Sequence, residues 1–86
     1  MSLILLYINV IDNIIMNEEY LQKFAKHLKK LRQEKGIKQD DFLPVKGISR
    51  STIGMVETAK SDITLSKLKI IADTLNVHPK DLLDFD

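Results

Sequence analysis

The chain has 86 residues, of which 44% are hydrophobic and 29% are charged, and its formal net charge is +1. A chain of this length forms at most one domain with a small core, which leaves little room for a large catalytic cleft. The absence of cysteine excludes disulfide bonds, thiol nucleophiles and Cys-type zinc sites, and it fits a reducing, cytoplasmic location. Three glycines and two prolines leave few breakers for a β-meander, so helices are expected.

The charges are distributed unevenly along the chain. Residues 1–22 carry three acids and no base, residues 23–60 carry ten bases against four acids, and residues 61–86 carry three bases against five acids. A basic block between acidic ends can turn one face toward a polyanion such as nucleic acid, although a Lys-rich helix is more often a solvated surface. Charge alone leaves both interpretations open.

The first segment, LILLYINVIDNII (residues 3–15), is apolar but interrupted by Asn and Asp. It is too short and too polar to span a membrane, and it lacks the features of a signal peptide, so no membrane partner is expected. We treat residues 1–16 as an apolar N-terminal arm, whose composition favours a strand while its polar spacing also fits a helix. Met16 precedes the first helix directly, so the arm can also lie upstream of the natural start. If the arm is native, residues 3–8 are expected to pair with their copy in a second subunit.

Residues 17–86 are predicted to form one helical domain, beginning with Asn17 as the N-cap of the first helix. Apolar residues then recur at helical spacing, at Leu21, Phe24, Ala25, Leu28 and Leu31. The helix should run to about Lys35, because Gly36 suits the left-handed position that follows a helix.

A short second helix is predicted from Lys38 or Gln39 to a point before Gly47, with Phe42 and Val45 facing inward. Pro44 lies inside it, and an internal proline costs about 3 kcal/mol. The second helix should therefore be distorted, either shortened or restarted around the proline.

Three further helices complete the expected five. Ser49 caps the third, in which Ile53 and Val56 face the core, and Thr64 caps the fourth. The apolar stripe of the fourth helix comprises Leu65, Leu68, Ile71, Ala72 and Leu75. The last turn begins at Pro79, a favoured first helical residue, and should bury Leu82 and Leu83. These elements predict a compact all-α domain.

Two helices joined by a glycine-containing turn, the second short and capped by serine, describe a helix-turn-helix. The stretches QDDFLPVKGISRSTIGMVE and LSKLKIIADTLNVHPKDLL resemble the DNA-binding domain of phage Cro and repressor proteins and of the related XRE-type (Cro/C1-type) regulators. The resemblance covers residues 28–83 and rests on Gln39, Gly47, SRST with Ile53 and Glu57, and IADTLNV together. The chain departs from the family pattern at residues 43, 44 and 46.

The resemblance implies a five-helix, lambda-repressor-like fold and a transcriptional regulator that binds double-stranded DNA, with no cofactor. It further implies a homodimer that reads a palindromic operator with the third predicted helix in the major groove. Base contacts are expected from Arg50, Ser51, Gly54 and Met55. Arginine can place two donors on guanine, serine can pair with several bases, methionine can lie against a thymine methyl group, and glycine admits close backbone approach.

Contacts to phosphate set affinity and register rather than sequence preference. The residues expected to make them are Gln39, Lys38, Lys46, Thr52, Lys60 and Ser61, although each can also be a plain surface residue. In the family, an arginine late in the first helix pairs with the glutamate that closes the third. The resemblance therefore implies a structural pair of Arg32 and Glu57.

Other functions have little support in the sequence. His27 and His78 lack a second ligand at metal-binding spacing, and the glycines lack the Lys-Ser/Thr step of a phosphate-binding loop, so neither a metal site nor an enzyme is expected. One alternative remains, in which the same fold serves as an antitoxin or another protein-interaction module with a toxin as partner. The salt dependence of DNA binding separates this alternative from the regulator.

Overall fold

The computed structural model describes residues 3–4 and 17–86. It contains three α-helices and two 3-10 helices in residues 17–86: α1 (Glu18–Glu34), a first 3-10 helix (Gln39–Phe42), α2 (Arg50–Glu57), α3 (Leu65–Leu75) and a second 3-10 helix (Pro79–Leu83). The described residues include no strand. The expected all-helical class is confirmed, but two of the five expected helices are only short 3-10 helices.

The predicted N-terminal arm is described only at Leu3 and Ile4. Both residues have a helical rather than an extended backbone, and both side chains are exposed. The rest of the arm, including most of the segment expected to pair with a second copy, lies outside the described residues. The arm therefore stays a prediction.

The N-terminus of each α-helix is capped by a side chain, as the sequence predicts. Asn17, Ser49 and Thr64 each accept the backbone N–H of the residue three positions later, at 3.0, 3.0 and 3.2 Å respectively. These bonds satisfy an amide that has no partner within the helix. The caps fix where α1, α2 and α3 begin.

The three α-helices also end in the same way, on residues with left-handed backbone: Gly36 (φ 67), Ala59 (φ 57) and Asn76 (φ 55). In each case this residue donates its N–H to the carbonyl three positions back, and the next residue donates to the carbonyl five positions back. This pair of bonds is the Schellman motif. Ala59 adopts the geometry without the freedom that glycine has, a cost of about 1–2 kcal/mol.

Pro44 determines the shape of the element before α2. In an α-helix, the carbonyl of Asp40 would accept the N–H of residue 44, which proline lacks. That carbonyl instead accepts the N–H of Leu43 at 3.0 Å, and the helical segment stops as a 3-10 turn. The predicted second helix is therefore shortened to Gln39–Phe42, and residues up to Gly47 lie in turns.

The core lies between α1, α2, α3 and the two 3-10 helices. Its buried residues are Phe24, Leu28, Phe42, Ile48, Ile53, Val56, Leu68, Ile71, Ala72, Leu75 and Leu82, with Leu31 and Val45 partly buried against them. The predicted burial of Leu65 and Leu83 is wrong, since they are 83% and 42% exposed. Periodicity identifies the face of a helix but not how far its neighbours extend, and Leu65 is the first residue of α3.

Candidate nucleic-acid interface

Helix α2 has an inner face that packs on the core and an outer face that is open. Ile53 and Val56 on the inner face are buried, as their spacing predicts. On the outer face, Arg50, Ser51 and Met55 are exposed. The structure thus places the expected base-contact residues together on one accessible surface, at the N-terminal end and middle of α2.

Gly54 completes this outer face and has ordinary helical backbone. A Cβ atom built on Gly54 meets no atom within 4 Å, so nothing in the described part of the chain requires glycine there. Gly47 is different, because its φ of +88 is left-handed and a Cβ would lie 3.2 Å from Cδ1 of Ile70. Gly47 is needed by the fold, whereas Gly54 leaves open space on the outer face of α2.

Arg50, the first residue of α2, is held by a carboxylate from the first 3-10 helix. Its Nε lies 2.7 Å from Oδ1 of Asp40, and the two side chains are 60% and 61% exposed. The family resemblance predicts a base contact for Arg50 and gives Asp40 no role. Their contact joins the two elements of the motif at the open surface.

Glu57, the last residue of α2, is held by a buried network. Arg32 donates from Nε to Oε2 of Glu57 at 2.5 Å and from Nη2 to Oε1 at 2.9 Å. Its third nitrogen, Nη1, donates to the carbonyl of Ile37 at 2.8 Å. The hydrogen bonds with Glu57 raise the pKa of the Arg32 guanidinium against the opposing effect of burial, so Arg32 stays charged.

Gln39 joins this network from the first 3-10 helix. Its Nε2 donates to Oε1 of Glu57 at 3.1 Å, and the residue is half-buried. The side chain therefore braces α2 against the element before it, a structural role beside the phosphate contact expected from the sequence. Contact of Gln39 with phosphate stays a prediction.

The remaining residues expected to contact phosphate flank α2. Lys38, Lys46 and Lys60 are exposed, and Ser61 is half-buried in the loop after α2. The Thr52 hydroxyl lies 2.9 Å from the hydroxyl of Ser49 and so belongs to the cap of α2 as well. All of these residues except Thr52 lie in the segments on either side of α2, where side chains can reach a backbone that passes along it.

The two histidines have structural roles. His27 Nε2 lies 2.7 Å from the carbonyl of Asp81, so it donates to the second 3-10 helix, and Nδ1 of His78 accepts the N–H of Lys80 at 3.2 Å. In residues 3–4 and 17–86, no three His, Cys, Asp or Glu side chains come together as metal ligands would. None of the helices in the described part of the chain is long and apolar enough to cross a bilayer.

Comparison with known proteins identifies this arrangement. A family model described as helix-turn-helix matches residues 28–82, which is more than half of the chain. The chain belongs to the helix-turn-helix family. The resemblance to XRE-type regulators is thereby confirmed, and with it a DNA-binding rather than an enzymatic family.

A solved structure supports the helix-turn-helix assignment. The chain is similar to the restriction-modification controller protein C.AhdI from Aeromonas hydrophila, with 32% sequence identity and a TM-score of 0.67. The similarity covers 72% of this chain and 94% of C.AhdI. No curated protein sequence matches the chain.

Within this helix-turn-helix, the sequence-based reasoning missed Asp40. The acid is recognisable in the sequence only as a favourable charge in a first helical turn. Its proximity to Arg50 depends on how the turn between the two elements folds, and Pro44 makes that turn unusual. Nothing in the spacing of the two residues along the chain indicates that they are partners.

Proposed function

We propose that the chain is a sequence-specific DNA-binding transcriptional regulator that acts as a homodimer on a palindromic operator. In this proposal α2 lies in the major groove, and Arg50, Ser51, Gly54 and Met55 contact base edges. Thr52 on α2 and the flanking residues Gln39, Lys38, Lys46, Lys60 and Ser61 contact phosphates. No cofactor takes part.

The observation that carries the proposal is the open outer face of α2. The helix is braced from behind by the Arg32–Glu57 pair and by a buried inner face, while its outer face offers a guanidinium, a hydroxyl, a thioether and a bare backbone. Such a mixture matches the donors, acceptors and methyl groups of the major groove. The position of Gly54 allows the helix backbone to come close to the bases.

Exposed apolar side chains support a homodimer. Tyr20, Leu65 and Leu83 line a groove between the beginnings of α1 and α3, and Leu65 has most of its surface exposed. Apolar surface of this kind favours association. Sedimentation without DNA should give a dimer for the full chain. Leu65→Lys should weaken that dimer if it forms through the groove, and deletion of residues 1–15 should weaken it if it forms through the arm.

The likeness to C.AhdI supports a more specific role. That protein is a restriction-modification controller, and the shared region spans nearly its whole length. In our proposal this chain likewise controls the expression of restriction-modification genes. The sequence that the chain selects should then occur upstream of such genes in its own genome.

Selection of bound duplexes from a random DNA pool tests the proposal. The expected result is a motif of two inverted half-sites about 10 base pairs apart, centre to centre, since a helix-turn-helix dimer places its recognition helices one helical turn apart. The matched control is a chain with Arg50→Ala, which should select a motif with one base position per half-site relaxed. Selection of no motif by the unaltered chain would rule out sequence-specific binding.

The alternative function, a protein-interaction module such as an antitoxin, gives a different result in the same system. Phosphate contacts make the logarithm of the DNA-binding constant fall steeply with the logarithm of salt concentration. If the chain binds a protein partner tightly while its DNA affinity is weak at physiological salt, the alternative is favoured.

A further inference from the structure

Asp40 and Arg50 face each other across the turn between the first 3-10 helix and α2. Arg50 Nε lies 2.7 Å from Asp40 Oδ1, yet both side chains are more than half exposed. An exposed ion pair contributes little to stability, because solvent screens it and two long side chains lose freedom. The pair lies on the surface proposed to meet DNA, which suggests a role in recognition.

We propose that Asp40 is a positioning residue that sets base specificity through Arg50 without itself contacting DNA. The inference rests on the proposed function, and it adds a residue that is not among the expected DNA contacts. Asp40 orients the guanidinium before DNA arrives.

The geometry of the guanidinium explains how the orientation acts. Arginine carries five N–H donors in one plane, and guanine is read by two parallel donors directed at O6 and N7. The Nε of Arg50 is already engaged by Asp40, so the edge left with two free donors is the one formed by Nη1 and Nη2. Asp40 thereby selects the edge of Arg50 that reads the base and reduces the freedom that Arg50 loses on binding.

The backbone that carries Asp40 is held firmly. On one side, Gln39 donates to Glu57 at 3.1 Å, and two residues further along the chain Phe42 is fully buried. The carboxylate therefore projects from a short element that is anchored to both α2 and the core. An anchor of this kind is what a positioning residue needs, because a mobile acid would follow the arginine instead of directing it.

The charge of Asp40 gives the proposal a distinctive signature. A carboxylate beside DNA repels phosphate whatever the sequence, so Asp40 weakens binding to all duplexes. By orienting Arg50, it strengthens the preference for one base pair. Removal of Asp40 should therefore raise the affinity for random DNA and lower the discrimination between base pairs. Removal of an ordinary surface acid should change only the affinity for random DNA.

The test uses the full chain and a duplex carrying the selected motif, together with duplexes in which each base pair is changed in turn. Asp40→Ala should lower the mismatch-to-match ratio of Kd about twofold at one base pair per half-site, less than Arg50→Ala does, because the orienting contact is an exposed ion pair. Asp40→Glu, which keeps the carboxylate, should restore part of the ratio. The matched control is Glu34→Ala, which removes an exposed carboxylate whose nearest cation is Lys30 at 3.9 Å and should leave all ratios unchanged.

A second set of variants identifies the residue through which Asp40 acts. In a chain that already carries Arg50→Ala, the further change Asp40→Ala should not alter any ratio. If a ratio falls in that background, Asp40 contacts a base itself and the inference is overturned. Unchanged ratios for Asp40→Ala in the otherwise unaltered chain would overturn it too.

A measurement on the free chain tests the positioning role without DNA, and it uses two alternative variants in case one of them folds poorly. The Nε–H proton of Arg50 should be protected from exchange in the free chain and lose that protection in Asp40→Ala or Asp40→Leu, whichever folds as judged by its melting temperature. Equal exchange with and without the carboxylate contradicts the positioning role. Failure of the proposed function is distinguishable, because the unaltered chain would then bind every duplex equally, and the inference would fall with it.

Discussion

Two arginine–carboxylate pairs hold the opposite ends of α2, and they differ in almost everything except their chemistry. Arg32–Glu57 closes the C-terminal end with side chains that are 9% and 2% exposed, whereas Asp40–Arg50 lies at the N-terminal end with both side chains more than half exposed. The buried pair has a third partner in Gln39, and its arginine also bonds the carbonyl of Ile37.

The difference in burial assigns the pairs different tasks. In the interior, a charge without its partner is costly, because neither water nor a counterion replaces it. At the surface, water and salt replace a lost partner almost completely. We therefore expect the buried pair to determine whether α2 is held in place, and the exposed pair to determine what the N-terminal end of α2 recognises.

The largest expected effect comes from breaking the buried pair. Glu57→Ala leaves the Arg32 guanidinium buried without its carboxylate and should lower the free energy of unfolding by about 3–5 kcal/mol, measured by denaturant titration. The control replaces both partners, as Arg32→Met with Glu57→Leu, and should recover most of the loss. An unchanged melting temperature for Glu57→Ala, together with lost DNA binding, would move Glu57 from the structural to the DNA-contacting residues.

Removal of the arginine from the exposed pair should give the opposite pattern. Arg50→Ala should change the free energy of unfolding by less than about 0.5 kcal/mol and reduce discrimination at one base position by about 1–3 kcal/mol. Binding to a panel of single-base variants measures the second quantity. Lys60→Ala is the comparison, since loss of a phosphate contact should weaken all sequences alike and lower the salt slope by about one. If both variants weaken binding uniformly, Arg50 is a phosphate contact.

A change between the two ends should separate stability from recognition without touching either pair. Gly54→Ala should raise the free energy of unfolding by about 1 kcal/mol, since alanine favours a helix and the added Cβ meets no neighbour. The same change should weaken DNA binding if the backbone approaches the bases there. Gly47→Ala should destabilise the fold instead, because its backbone is left-handed and Ile70 is close.

Ala59, two residues after Glu57, allows a smaller gain in stability. Ala59→Gly relieves a left-handed alanine just beyond Glu57 and should stabilise the chain by about 0.5–1 kcal/mol, after subtracting the entropy that glycine adds to the unfolded state. Thermal melting measures this. Gly36→Ala, at the same position of α1, should have the reverse sign, and a gain from both changes would contradict the argument from backbone strain.

The smallest expected effect provides a reference value for the stability contributed by an exposed pair such as Asp40–Arg50. Lys69 and Asp73 form a pair on α3 at 2.6 Å with side chains 62% and 61% exposed, which matches the exposure of Arg50 and Asp40. Lys69→Ala should lower the free energy of unfolding by only about 0.3–0.5 kcal/mol. A loss of several kcal/mol here would show that exposed pairs in this fold are not weak, and the contrast between the two ends of α2 would lose its basis.

Much of this arrangement could be predicted from sequence, because local rules govern helix ends and faces. The three caps, the left-handed Gly36 and the buried apolar residues of α2 follow from residue type and spacing alone. The predicted burial of Leu65 is wrong because helical periodicity indicates which face a residue lies on, but not how far the neighbouring elements extend along that face. The element around Pro44 is expected from the sequence to be distorted. Its reduction to one 3-10 turn depends on which N–H replaces the missing amide of Pro44 as the donor to the carbonyl of Asp40.

The contacts around α2 were less accessible to sequence reasoning. The partnership of Arg32 and Glu57, 25 residues apart, came from family resemblance and not from spacing. The contact between Asp40 and Arg50 spans a turn whose path the sequence does not determine locally. Contacts of this type depend on tertiary geometry and not on the spacing of residues along the chain.

The segment around Pro44 has a consequence for hydrogen exchange just before α2. In the part of the chain that the structure describes, the amides of residues 46–49 donate to no backbone carbonyl, while Leu43 and Val45 make only single-turn bonds. Amides of this kind exchange with solvent through small local openings and not through global unfolding. The amides of residues 46–49 should therefore exchange faster than those inside α2, even though the Asp40–Arg50 contact and the Ser49 cap hold the N-terminal end of the helix.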